Sequence, residues 1–146
     1  MDSANRQNGK TMNEKYFDTV FLDATPTDQF PETFAIVTAF NPMDQILSHD
    51  ENLKRNQQLL DILTSNGHYG GTIIGSAQDL SHQEPSLLAS TSRSEALEIG
   101  IRFGQRAIFW VSDDELEIIE SSTGITHSAG AFRKRITKKE PDSTES

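Results

Sequence analysis

A handful of polar residues stand where chemistry can be done. Thr38 and Asn41 close an apolar run; Asn52, Arg55 and Asn56 follow on the first turns of a helical pattern; Glu84 and Ser86 flank a proline; Gln105 precedes a second apolar run. Polar groups cost free energy when buried without partners, so their place beside apolar stretches asks for a reason. An arginine can fork onto a carboxylate or phosphate, and a helix N-terminus adds unpaired N–H groups and the positive end of a dipole. The spacing therefore predicts a polar pocket at a strand end and helix N-terminus, holding a small anionic ligand or a peptide end. Glu84 can anchor a ligand or act as a general base, with Ser86 as a donor. The competing expectation is architectural: the amides satisfy loop backbone groups while Arg55 pairs with Glu84.

Other chemistries find no support, so no residue is assigned a catalytic role and no cofactor is expected. There is no cysteine for a thiol nucleophile or disulfide. His49, His68, His82 and His127 lack paired metal-ligand spacing. The chain has no P-loop, no Gly-x-Ser-x-Gly elbow and no dinucleotide fingerprint. A hydrolase or transferase using Glu84 as base is the least supported reading.

Definite elements must position these groups. Residues 33–40 are apolar on both alternating sets, which is the mark of a central strand. Pro42 ends that strand and biases Asn41 towards an extended conformation. Ser48 and Glu51 form a capping-box pattern that opens a helix, and Gly67 stops it after Asn66. On a helical wheel Leu53, Leu59, Leu60, Ile62 and Leu63 make an apolar arc. Asn52 and Asn56 fall inside it, with Arg55 at its border. Short strands follow around 72–74, beside the flexible stretch 68–71, and at 85–91. Ser92 and Glu95 repeat the capping pattern for a second helix that ends at Gly104. Its packing face is Ala96, Gly100 and Phe103 with Leu97 and Ile101, and Gly100 in mid-helix implies close packing on a sheet. Residues 106–111 are a second central strand. Asp113 and Asp114 turn into a half-buried edge strand over 115–119. Residues 13–22 space Tyr16, Phe17, Val20 and Phe21 as an amphipathic helix does.

The expected fold is α+β: a ferredoxin-like βαββαβ sandwich with an added C-terminal hairpin strand and an N-terminal helix. In that topology the first and third strands are central and the fourth lies beside the first. The domain is expected over 13–125, with a disordered tail over 1–12 and a charged mobile tail over 126–146.

The formal charge is −9 over 146 residues, and residues 30–122 alone hold fourteen acids against five bases. An acidic body disfavours duplex nucleic acid and suits a basic protein partner or a ligand met by local cations. The run Arg133, Lys134, Arg135, Lys138 and Lys139 is the exception, readable as a nucleic-acid contact or as a solvated tail. Without a signal-peptide core or membrane-length segment, the expected location is cytoplasmic, with no membrane partner. A second functional expectation is an interaction or regulatory module whose acidic surface meets a basic partner.

At TAFNP (38–42), ENLKR (51–55), EPS (84–86) and FGQRAIFW (103–110), the chain resembles a bacterial family catalogued as domain of unknown function 3293. The resemblance covers about 16–120, with Phe40 where the family often has tryptophan and Leu87 where it often has an aromatic residue. It implies that Asn41, Asn52, Arg55, Glu84, Ser86 and Gln105 belong to a shared polar set. It implies no reaction.

Overall fold

The computed structural model describes residues 14–25 and 30–137. Seven strands form one sheet: β1 (Val20–Thr25), β2 (Thr33–Val37), β3 (Tyr69–Ser76), β4 (Gln83–Ala89), β5 (Ala107–Ser112), β6 (Glu115–Glu120) and β7 (Thr126–Ala131). Their spatial order is β1-β3-β4-β2-β5-β6-β7, and each neighbouring pair is antiparallel. Two α-helices accompany it, α1 (His49–Ser65) and α2 (Arg93–Arg102). The class is mixed α and β, with β2 and β4 adjacent inside the sheet and β5 beside β2.

The capping signals act as the sequence implies. Ser48 and Glu51 complete a reciprocal box at the start of α1, and Ser92 accepts the Glu95 amide at the start of α2. Gly67 and Gly104, with φ of 74° and 72°, follow the two helices in the left-handed region that needs no Cβ. Asp113 and Asp114, at φ 49° and 70°, make the two-residue turn between β5 and β6, whose twist suits a hairpin.

Strand alternation divides the core into two layers. Ala35, Val37, Ala89, Ile108 and Trp110 face Leu59, Leu63 and Ala96 on the helices. Helix α2 comes so close that a Cβ on Gly100 would stand 2.5 Å from Ile108 Cγ2. The other set, including Phe34, Ile36, Phe109, Leu116 and Ile118, faces away from the helices into an aromatic cluster with Phe21 and Phe132. Phe21 meets Phe109 edge-on at 5.2 Å, and Phe132 packs on Phe21, Phe30 and Phe34 at 5.2–5.5 Å. The sheet curls around this cluster until its two edges approach. Phe21 bridges to Ile136, the Thr137 N–H donates to the Phe21 carbonyl (2.9 Å), and Arg135 donates to Thr19 O (3.1 Å) and Ala129 O (3.0 Å).

Several expectations are corrected. The stretch read as an N-terminal helix is a 3-10 turn, Glu14–Asp18, running into β1. Strand β6 is not an edge, because β7 pairs with it. Residues 126–135, read as tail, supply β7 and a 3-10 turn carrying the buried Phe132; residues 1–12 lie outside the described residues. Leu53 and Ile101, expected on packing faces, are 46% and 56% exposed. The buried stripe of α1 runs through Asn52, Leu59 and Leu63 instead. Asn41 is left-handed, not extended, at φ 45°.

Candidate functional site

The polar set divides across the sheet. On the helix side, α1 begins just after the loop that leaves β2, and its first turns present amides and a guanidinium to that loop's backbone. The Asn41 N–H donates to Asn52 Oδ1 (2.8 Å), and Asn52 Nδ2 donates to Asn41 Oδ1 (2.9 Å). The Ala39 N–H donates to Asn56 Oδ1 (2.7 Å), and Asn56 Nδ2 donates to Pro85 O (3.0 Å). Arg55 donates through Nε to Ala39 O (2.7 Å) and through Nη2 to Phe103 O. Its guanidinium also lies 5.9 Å from the Phe103 ring centroid. These three side chains pin the strand end and the end of α2 to α1. Arg55 is committed to two carbonyls, and the ion pair recorded for Glu84 is with His82, not Arg55.

On the face away from the helices, the curl leaves a cavity of about 240 Å³. Ile36, Phe40, Ala107 and Phe109 form apolar wall, and Thr38, Asn41, Glu84, Ser86 and Gln105 supply polar groups. Alternation puts them there: Ile36, Thr38 and Phe40 continue one face of β2, while Glu84 and Ser86 continue one face of β4. Gln105 is 7% exposed and donates to Phe40 O (3.0 Å). Thr38 Oγ1 donates to Pro85 O (2.8 Å), and Ser86 Oγ to Glu84 O (3.1 Å).

Asn41 joins the two sides. Its left-handed backbone, tolerable for asparagine, lets one amide accept from Asn52 and the Leu47 N–H (3.1 Å) and donate to Glu84 Oε2 (3.3 Å). His82 Nε2 also stands 3.3 Å from Glu84 Oε2, with 52% of its side chain exposed against 24% for Glu84. The described lining thus holds one carboxylate and one imidazole, and no lysine or arginine.

The structure therefore brings together Thr38, Asn41, Glu84, Ser86 and Gln105 and leaves Asn52, Arg55 and Asn56 behind the cavity as struts. Tyr16, Ser76 and His82 also line it, outside the polar set expected from the sequence. Tyr16 precedes β1 and Ser76 ends β3, and the pairing of those two strands leaves no local mark in the sequence. His82 two residues before Glu84, on an alternating strand face, was a usable signal.

Of the basic run, Arg135 closes the sheet as described, and the Arg133 N–H donates to Asp114 Oδ1 (2.9 Å). Lys138 and Lys139 lie outside the described residues. No group of three or more potential metal ligands occurs among the described residues, and none of their helices is long and apolar enough to cross a membrane.

Comparison with known proteins agrees with the resemblance in the motifs. Residues 37–108 match the model of a family described as protein of unknown function (DUF3293). Over that segment the chain matches the DUF3293 family. The DUF3293 match runs from the end of β2 through Ile108 in β5, so it contains α1, β3, β4, α2 and all eight polar residues expected at the site. No curated protein and no solved structure matches the chain.

Proposed function

We propose that the chain is a small-ligand-binding domain whose site is the cavity on the sheet face away from the helices. The observation that carries this reading is the convergence of Thr38, Asn41, Glu84, Ser86 and Gln105 on one apolar-walled hollow. A largely apolar hollow with a few convergent polar groups is the usual form of a small-molecule site. At about 240 Å³ it lies just under the usual range of about 300–1,000 Å³, which suits a small metabolite or the end of a peptide. The expected anion loses its cation, because Arg55 is held by Ala39 and Phe103 carbonyls behind the cavity.

A thermal-shift screen against nucleotides, sugar phosphates and amino-acid metabolites tests the reading, with Ala107→Leu alongside. Leucine at this wall position fills part of the cavity. A compound that raises the melting temperature of the native chain and not of a folded Ala107→Leu supports the site. If every compound that acts does so equally on the variant, the cavity is not the site.

A second reading, an interaction module with an acidic surface, is favoured by the architectural use of Asn52, Arg55 and Asn56. It requires a basic partner whose co-purification falls with salt. On the fold, we read β2-α1-β3-β4-α2-β5 as a ferredoxin-like unit extended by β1, β6 and β7. The order β3-β4-β2-β5 and the helices' common face support it.

A further inference from the structure

We infer that the ligand of this cavity carries a positively charged nitrogen, an ammonium that sits against Glu84 with an apolar body on the Phe40 and Phe109 walls. The inference rests on the reading of the cavity as a binding site and adds the chemical class of what enters it.

Glu84 is the single carboxylate among the described lining residues, and its side chain keeps only 24% of its exposure. A half-desolvated carboxylate needs a counter-charge or several good donors. The protein supplies little of either. Neither lysine nor arginine is in the described lining, and Arg55, the cation expected at the site, is held elsewhere. Asn41 Nδ2 and His82 Nε2 both approach the same oxygen, Oε2, at 3.3 Å, which is long for a charge-assisted bond. An ionised carboxylate has about four acceptor sites. His82, half exposed, is too well solvated to act as a firm partner. The remaining polar groups at the site are neutral, and Thr38 Oγ1 and Ser86 Oγ already donate to carbonyls, so the acceptor character of the hollow predominates. Aromatic walls from Phe40 and Phe109 tolerate a cation as well as an apolar body. The overall charge of −9 draws cations toward the molecule and repels anions.

Three probes of nearly equal shape test the inference on the full chain by titration calorimetry: 2-phenylethylamine, 2-phenylethanol and 3-phenylpropionate. The amine is expected to bind about tenfold or more tightly than the alcohol, and the carboxylate least. Glu84→Gln is expected to remove the amine's advantage while leaving the alcohol unchanged. Phe-Gly-Gly and its N-acetylated form, run in parallel, distinguish a peptide amino terminus from a free amine: only the unblocked peptide competes if peptide ends are accepted. If the alcohol binds as well as the amine, or the carboxylate binds best, the charge inference is overturned and the cavity stands. If amine binding persists in a folded Ala107→Leu, or no probe binds, the cavity reading falls with it. The native-chain series decides the question even where Glu84→Gln fails to fold.

Discussion

Arg55 and Glu84 show how residue type underdetermines role. An arginine on an otherwise apolar helix face reads as an anion clamp, yet its donors are bound to two carbonyls, Ala39 O at the β2 exit and Phe103 O at the α2 C-terminus. Arg55→Ala should therefore lower stability by about 2–3 kcal/mol in urea titrations, since hydrogen bonds from a charged donor are worth more than neutral ones. A cavity ligand should bind the folded fraction with unchanged affinity. Loss of binding without loss of stability would return Arg55 to the site. Glu84→Gln should behave in the opposite way, with a small effect on the midpoint and a large one on binding. The polar set was legible in the sequence because buried polar residues interrupt apolar patterns. Its partition was not legible. Whether an amide faces a loop or a hollow depends on which side of the sheet its element covers, and that is set by pairing between distant strands.

At the scale of elements, helices were more legible than strands because their ends carry local chemistry. Ser48 with Glu51 and Ser92 with Glu95 mark both helix starts, and each set of bonds lies within four residues. Ser48→Ala should cost about 1 kcal/mol, read from the urea midpoint. The Glu95 cap adds a pH dependence. The Thr91 hydroxyl, and after it the Ser92 backbone and side chain, hold the Glu95 carboxyl below its ordinary value. A carboxyl with a depressed folded pKa contributes stability above its unfolded pKa and loses it as pH falls through the folded one. Glu95→Gln should thus be less stable than the native chain at neutral pH, with the gap closing in acid; a gap constant with pH would contradict it. Gly100→Ala sets a helix-propensity gain of about 1 kcal/mol against a Cβ 2.5 Å from Ile108 Cγ2. Overpacking costs about 1–3 kcal/mol, so net destabilisation is expected by thermal melting. Tyr16, Phe17, Val20 and Phe21 imitate helical spacing, while Val20 and Phe21 belong to β1, whose conformation is set by pairing with β3 some fifty residues on. Strand β7, THSAGA, carries no apolar alternation and takes its conformation from β6.

For the whole molecule, the decisive feature is that the sheet curls far enough for its ends to meet, and the C-terminal segment supplies the seam. Phe132 is 1% exposed among Phe21, Phe30 and Phe34, while Arg135 ties Thr19 before β1 to Ala129 in β7. The seam also bears on the cavity, because Thr19 and Phe21 belong to its lining. Phe132→Ala should therefore cost about 3–5 kcal/mol, as truncation of a fully buried aromatic does. Arg135→Ala should act more locally. It removes the donor from two carbonyls and leaves the paired interior of the sheet intact, so its effect should concentrate in β1 and β7 and not spread to β2 and β5. Hydrogen exchange resolves this: amides of Val20–Thr25 should exchange faster in the variant, with Thr33–Val37 and Ala107–Ser112 close to native. Uniform acceleration would mean that the seam is part of one cooperative unit. No change in β1 would mean that the Arg135 bonds are dispensable to that edge, which pairing with β3 and the backbone contacts of Ile136 and Thr137 then hold.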